Sequence, residues 1–330
     1  MAGAQGSAMA VAVSNAGGLG ALPAAMLSPV QLREELTRIQ AQTTQPYNVN
    51  YFCHTPPTPD AGRAATWRSA LQPFYDEAGI DSATVAPGVG RAPFSAEAAE
   101  LLEAFRPPVV SFHFGLPPPE LLARVRGWGG KVLSSATTVE EALWLEAQGV
   151  DAVIAQGVEA GGHRGMFLTD DLTTQMGTMA LLPQVMRAVR VPVIAAGAIV
   201  DVASIRAALA MGAAGVQVGT AYLCADESSI SAIHRQALQS PAALHTALTR
   251  LFTGKPARGI VNRLMRELGP MSDVAPAFPL ATTMIGPLRA WAEAKGSGDF
   301  TPLWSGQNTS GCRALPAAEI TRLLAQAWEA

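Results

Sequence analysis

A helix pattern, a glycine and a short apolar strand recur through the middle of this chain, and no other feature limits the fold so much. Thr138 to Gln148 reads as a helix, with Thr138 and Glu141 spaced as a capping box and Gly149 as its stop. Ala152-Val-Ile-Ala-Gln156 follows as a buried strand that ends at Gly157. The unit returns from Asp201, with a helix through Ala210, a stop at Gly212 and the strand Gly215–Gly219. Strands apolar on both faces and alternating with helices require a parallel sheet covered on both sides.

Seven such strands are predicted: Leu19–Leu22, Tyr47–Cys53, Val109–Phe114, Lys131–Ser135, Ala152–Gln156, Pro192–Ala196 and Gly215–Gly219. Ser28-Pro29 opens a helix, with Gln31 in capping-box position and Leu32, Leu36 and Ile39 on one face. A helix pattern at Ala8–Ser14 precedes the first strand. The even spacing, roughly 20–25 residues per unit, favours a (β/α)8 barrel over a doubly wound open sheet. An eight-fold barrel then needs one more strand upstream of Met1, so the first barrel strand is expected to be missing here. Residues 1–227 and 301–330 are assigned to the barrel, with a helical insertion around 54–106. Residues 228–300 are expected to form a mainly helical lid or substrate region.

Composition narrows the function. Hydrophobic residues make up 49% of the chain and charged residues 15%, enough for a large core and against disorder. A net charge of −3 offers no case for nucleic acid or an anionic membrane. The 3 cysteines, Cys53, Cys224 and Cys312, form no CxxC pair and no zinc spacing, which suggests a reducing cytoplasm. The apolar N-terminus lacks the basic start of a signal peptide, and no stretch has the ~18 apolar residues of a membrane helix.

Chemistry in a barrel gathers at the C-terminal strand ends, with phosphate commonly bound after the last two strands. Those ends read Ala195-Ala-Gly-Ala198 and Gln217-Val-Gly-Thr220. Glycine lets backbone N–H groups approach a phosphate, and Thr220 adds a hydroxyl. The plainer reading is a glycine that ends a strand. The segment Gln156-Gly-Val-Glu-Ala-Gly-Gly-His-Arg-Gly165 opens an unusually long connection where ligands bind. Its glycines allow a close cover over a flat ligand and present His163 as a general base, with an exposed loop histidine as the plain alternative. A positive Arg164 beside His163 is expected to favour the neutral imidazole. His113 reads as a hydrogen-bonded rim or core residue; His54, His234 and His245 read as surface. Asp170 and Asp171 read as caps, and no cluster suggests a metal.

Several of these segments together resemble nitronate monooxygenase, formerly 2-nitropropane dioxygenase. They are Ser14-Asn-Ala-Gly-Gly-Leu-Gly20, Asn48-Val-Asn50, Ser135-Ala-Thr-Thr138, the Gly161-Gly-His-Arg-Gly165 loop and Gln217-Val-Gly-Thr220. The resemblance extends through Ala257-Arg-Gly-Ile-Val-Asn262 and Leu303-Trp-Ser-Gly-Gln307, essentially the whole chain. It implies an FMN-containing barrel that oxidises alkyl nitronates with O2 to a carbonyl compound and nitrite. It assigns FMN contacts to Asn50, Gln156, Gly161, Gly197, Gln217, Val218, Gly219 and Thr220, and catalysis to His163. Two departures stand out. The family begins with a strand and Pro-Met-Ala-Gly, where this chain starts Met1-Ala-Gly3. It also carries Gly-Gly where this chain has Gly197-Ala198, and the added methyl fits only if φ is negative there. Two other chemistries stay open on the residues alone: an FMN-dependent NAD(P)H reductase for quinones or enoyl thioesters, and a flavin-free lyase or isomerase.

Overall fold

The computed structural model describes residues 1–85 and 91–329. Seven parallel strands form one curled sheet: β1 (Gly20–Pro23), β2 (Tyr47–Phe52), β3 (Val109–His113), β4 (Lys131–Ala136), β5 (Ala152–Gln156), β7 (Val193–Ala196) and β8 (Gly215–Gln217). These are the strands expected, in sequential spatial order. The sheet curls as a TIM-barrel-like half-barrel. Its outer members are β1 and β8, and neither has a second strand partner among the described residues.

Twelve helices accompany the sheets: α1 (Ser7–Asn15), α2 (Pro29–Gln42), α3 (Ala61–Ala78), α4 (Ala96–Phe105), α5 (Pro119–Gly127), α6 (Val139–Ala147), α7 (Thr178–Ala188), α8 (Val202–Ala210), α9 (Ala232–Leu238), α10 (Arg263–Leu268), α11 (Thr282–Ala294) and α12 (Ala317–Ala325), counted among the described residues. The predicted starts hold where side-chain chemistry drives them. Ser28 and Gln31 close a reciprocal capping box on α2, and its Leu32, Leu36 and Ile39 are buried. Each buried Leu or Ile contributes roughly 2 kcal/mol against exposure. At α6 only half of the box forms. Thr138 accepts from the Glu141 N–H, but the Glu141 carboxylate turns to the N–H of Thr137 (2.6 Å) and the N–H of Phe167 (2.6 Å). A buried carboxylate that ties two separate loops outweighs a local cap.

Alternation along the strands explains the two apolar faces. Val49, Val110, Val132, Val153, Val193 and Ala195 point outward into the main core with the helices. Leu133, Ala152, Ile154 and Ala196 point inward and form a smaller cluster with Val109 and Ile194. Towards the C-terminal ends the inward positions turn polar, with Asn50, His113, Ser135, Gln156 and Gln217. The sequence thus aims its polar side chains at one end of the half-barrel.

A second sheet lies outside the repeat. It is antiparallel, ordered β6 (Gly162–His163), β10 (Ala257–Ile260) and β9 (Thr246–Thr249). Two of its strands fall in the 228–300 region, which therefore combines helices with a hairpin. A second hydrophobic cluster joins α3 residues Trp67, Leu71, Phe74 and Tyr75 to Leu251, Phe252, Leu264, Leu288 and Phe300. The neighbouring α4 instead buries Leu101 and Leu102 in the main core. The 54–106 stretch is thus divided between two cores.

Candidate active site

The loops after β7 and β8 are built from backbone. Gly197 has φ +121°, and a Cβ there would stand 2.7 Å from the Thr178 hydroxyl. Ala198 follows at φ +57°, so the condition of a negative φ fails and the methyl sits in the left-handed region. That conformation costs a non-glycine residue about 1 kcal/mol. Among the described residues, no protein acceptor pairs with the N–H groups of Ala198, Gly219, Thr220 or Ala221. Thr220 opens a single 3-10 turn, and its Oγ accepts from the Gly306 N–H at 3.0 Å. A Cβ built on Gly219 would meet only the Met1 side chain, at 3.7 Å. The Gln217 side chain is exposed, and Val218 packs against apolar neighbours. Four unpaired amides and a hydroxyl at adjacent strand ends are the donor set an anion needs.

The Gly157–Gly165 loop is pinned from several sides. Gly161 packs so closely on Ser305 and Gly306 that a Cβ would lie 2.4 Å from the Gly306 nitrogen. The Glu159 carboxylate accepts from the Thr178 N–H (2.9 Å) and hydroxyl (3.0 Å), tying the loop to the start of α7. Arg258 donates to the Val158 carbonyl at 2.9 Å. Arg164 is fully buried beneath the loop and donates to the carbonyls of Gln156 and Gly157 and to the Gln175 side chain. The expectation that Arg164 sets the charge state of His163 is corrected, because its guanidinium serves the loop backbone.

His163 itself lies half-buried on β6, held by backbone pairing to Ala257 of β10. Gln156 donates to the His163 carbonyl (3.0 Å) and accepts from the Gly165 N–H (2.8 Å), so both ends of its amide serve this loop. His113 also reaches that carbonyl with Nε2 (3.1 Å), while its Nδ1 meets the Ser135 hydroxyl (3.1 Å). This is the hydrogen-bonded role expected for His113. Asn50 donates to the Ser111 hydroxyl at 2.8 Å, as does Asn48, whose Oδ1 is buried without a partner among the described residues.

Around the His163 ring stand Phe278 (5.3 Å between centroids), Trp304 (5.6 Å), Phe114 (5.9 Å) and Phe52 (6.1 Å). The Lys255 Nζ lies 5.1 Å over Phe114, and the Arg91 guanidinium 5.8 Å over Phe278. His54 bonds the Arg91 carbonyl at 3.0 Å and packs on Phe278. It is buried, as is His234, whose Nε2 bonds the Trp304 carbonyl at 3.0 Å. The surface reading of both is therefore corrected: both rings are covered and each Nε2 is paired, while the His54 Nδ1 is buried without a partner among the described residues. His245 is exposed, as read, and Asp171 caps the 3-10 turn Leu172–Thr174.

Burial and the nearby Arg91 and Lys255 hold His163 well below the ordinary histidine value. Burial likewise lowers His113 to about 4, partly opposed by its bond to the His163 carbonyl. His54 moves the same way, again chiefly through burial. Three neutral imidazoles beside two cations make a pocket that can take a proton and attracts an anion. Phe52 shares the inward face of Asn50 and was legible by alternation. Arg91, Thr253, Lys255 and Phe278 gave no signal, because they sit in loops without periodicity, whereas Phe114 ended a predicted strand and Trp304 lay in a segment of the resemblance. Among the described residues, no group of His, Cys, Asp or Glu is placed to hold a metal. No described helix is long and apolar enough to cross a membrane.

The fold and this site define a TIM-barrel-like enzyme with an anion-adapted histidine pocket at its strand ends. The family model described as nitronate monooxygenase matches residues 1–326. A nitronate monooxygenase of Pseudomonas aeruginosa is 40% identical over 99% of this chain and 93% of its own. One from Paraburkholderia phytofirmans is 40% identical over 98% of this chain and 89% of its own. Among solved structures, a nitroalkane oxidase from Streptomyces ansochromogenes matches with a TM-score of 0.90 and 39% identity, covering 100% of this chain and 95% of that one. FabK from Thermotoga maritima matches with 0.72 and 25%, covering 100% and 90%. The chain belongs to the nitronate monooxygenase family, and it is an oxidoreductase.

Proposed function

We propose that this chain oxidises alkyl nitronates with O2 to a carbonyl compound and nitrite, using FMN. The observation that carries this reading is the pocket around His163, where neutral histidines stand beside Arg91 and Lys255. A nitronate is an anion, and two cations in a partly desolvated cage attract it. A neutral nitroalkane must first lose a carbon-bound proton, which His163 takes on an unprotonated ring nitrogen. The aromatic walls exclude water from that proton transfer.

The residues fit FMN on an observation independent of kinship: the unpaired N–H groups of Ala198, Gly219, Thr220 and Ala221 suit its phosphate. Gly161, Gly197, Gln217, Val218 and Asn50 would flank the group, while Gln156 would act through the His163 loop it braces. FMN supplies the redox chemistry when bound. In the same reading, residues 1–227 and 301–330 carry the cofactor and 228–300 contributes the substrate side, with O2 and the nitronate as small-molecule partners. The enzyme works in the cytoplasm.

The deciding experiment is an anaerobic spectrum of the flavin-loaded full chain, with nitronate and then with NADH. Rapid bleaching by nitronate and indifference to NADH are expected. Bleaching by NADH alone would replace this reading with the reductase, and failure to take up any flavin would favour a lyase or isomerase.

A further inference from the structure

The segment Thr253–Pro256 touches the histidine loop twice, yet lies some 90 residues from it in sequence. Pro256 offers its carbonyl to the Arg164 N–H at 2.9 Å. Thr253 places its Oγ 2.9 Å from the His163 Nε2. That hydroxyl is almost fully buried and also faces the Lys255 carbonyl at 3.4 Å. A carbonyl only accepts, so a hydroxyl proton directed at Lys255 leaves the Oγ lone pairs for His163. The chain of donors then runs from His163 Nε2–H to Thr253 Oγ–H to the Lys255 carbonyl.

We infer that Thr253 is the positioning residue that fixes the tautomer of His163, keeping the proton on Nε2 and leaving Nδ1 as the base. This deepens the proposed function and rests on the base role of His163 given there. A base whose second nitrogen is held by a fixed acceptor is oriented before substrate arrives, and the imidazolium it becomes is stabilised by the same bond. The turn that carries Thr253 suits such a task. Leu251 and Phe252 anchor it in the second hydrophobic cluster, and the Gly254 N–H bonds the Arg250 carbonyl at 2.7 Å. Thr282 donates to the Phe252 carbonyl at 3.1 Å. Other groups near the ring are His54, Arg91, His113 and Lys255, with Asp170 3.7 Å from the Lys255 ammonium. None of these bonds a His163 ring nitrogen, so tautomer choice rests with Thr253 among the described residues.

The test uses full-length holoenzyme with 15N-labelled histidine; the chain has 5 histidines, so the ring signals can be assigned by substitution. In the unmodified protein, His163 is expected to carry its proton on Nε2. A proton on Nδ1 would overturn the inference. Thr253→Val keeps the volume and removes the acceptor; it should mix the tautomers and lower kcat/KM on neutral nitroalkane about 10-fold. Its pH–rate profile should also shift to lower pH, because the imidazolium loses its acceptor. Thr253→Ser should restore all three readouts. An unchanged tautomer and pH profile in folded Thr253→Val would overturn the inference even while His163→Asn abolishes nitroalkane turnover. Full nitroalkane turnover in His163→Asn would instead remove the base role, and the tautomer measured in the unmodified protein would still decide for or against Thr253.

Discussion

The ends of β7 and β8 and the cage around His163 lie in one site but are made differently. The first is local: Gly197-Ala198 and Gly219-Thr220-Ala221 offer backbone N–H groups within two short runs of sequence. The second is assembled from distant side chains, among them Phe52, Arg91, Phe114, Thr253, Lys255, Phe278 and Trp304. Backbone donors need only the right φ and a missing side chain, so a motif can specify them. A desolvated imidazole needs walls, and walls come from wherever the chain folds back. The local part suits a constant group such as a phosphate. The assembled part sets reactivity and is where substitution should change chemistry without releasing cofactor.

Substitution at the centre of the cage gives the largest expected effect. His163→Asn should cost about 10²–10⁴-fold on neutral nitroalkane while sparing much of the nitronate activity. Steady-state rates on both forms of one substrate, at matched FMN content, check this. Equal losses on the two forms would make His163 an anion holder and not a base.

The converse change strikes the local part. Gly219→Glu places a carboxylate among the amides proposed to hold phosphate, and FMN affinity should fall about 100-fold by flavin fluorescence titration. Unchanged affinity would move the phosphate to another part of the molecule.

A third experiment reads the burial of the histidines as stability. His113 and His234 are both lowered to about 4, chiefly by burial. The unfolded chain therefore binds protons from pH 6.5 downward that the folded chain refuses until near pH 4. Stability should be full above pH 6.5 and fall through that window, by about 2 kcal/mol on reaching pH 5 after discounting for partial hydration. Urea unfolding at the two pH values measures it. A flat profile would show that water reaches both rings freely.

The smallest effect concerns one methyl. Ala198 sits at φ +57° in the amide-lined loop, where glycine carries no Cβ penalty. Ala198→Gly should raise unfolding stability by up to about 0.5 kcal/mol, net of the extra freedom glycine has in the unfolded chain. A loss of stability would mean that the methyl makes contacts worth more than the strain.

The fold was legible where one physical rule acted within a few residues. Ser28-Pro29 with Gln31, Asp201 before α8 and the Val/Ile/Ala strands each depend on neighbours close in sequence. The small antiparallel sheet was not legible, because β6 is only two residues long and its partner lies nearly 100 residues away. Alternation cannot be read from two residues. His54 and His234 were misread for a related reason: a lone histidine has no pattern, and its burial depends on what arrives from elsewhere.

By itself, then, the sequence determined the parallel seven-stranded sheet, its polar end and the glycine loops after its last strands, because helix caps, apolar alternation and glycine act over short distances. Tertiary structure alone decided which charges face His163. Sequence adjacency pointed to Arg164, but a strand turns successive side chains to opposite sides, and Arg164 went beneath the loop. Thr253 and Lys255 took places beside the imidazole because Leu251 and Phe252 anchor their segment in the second hydrophobic cluster, and Arg91 came from the stretch before α4.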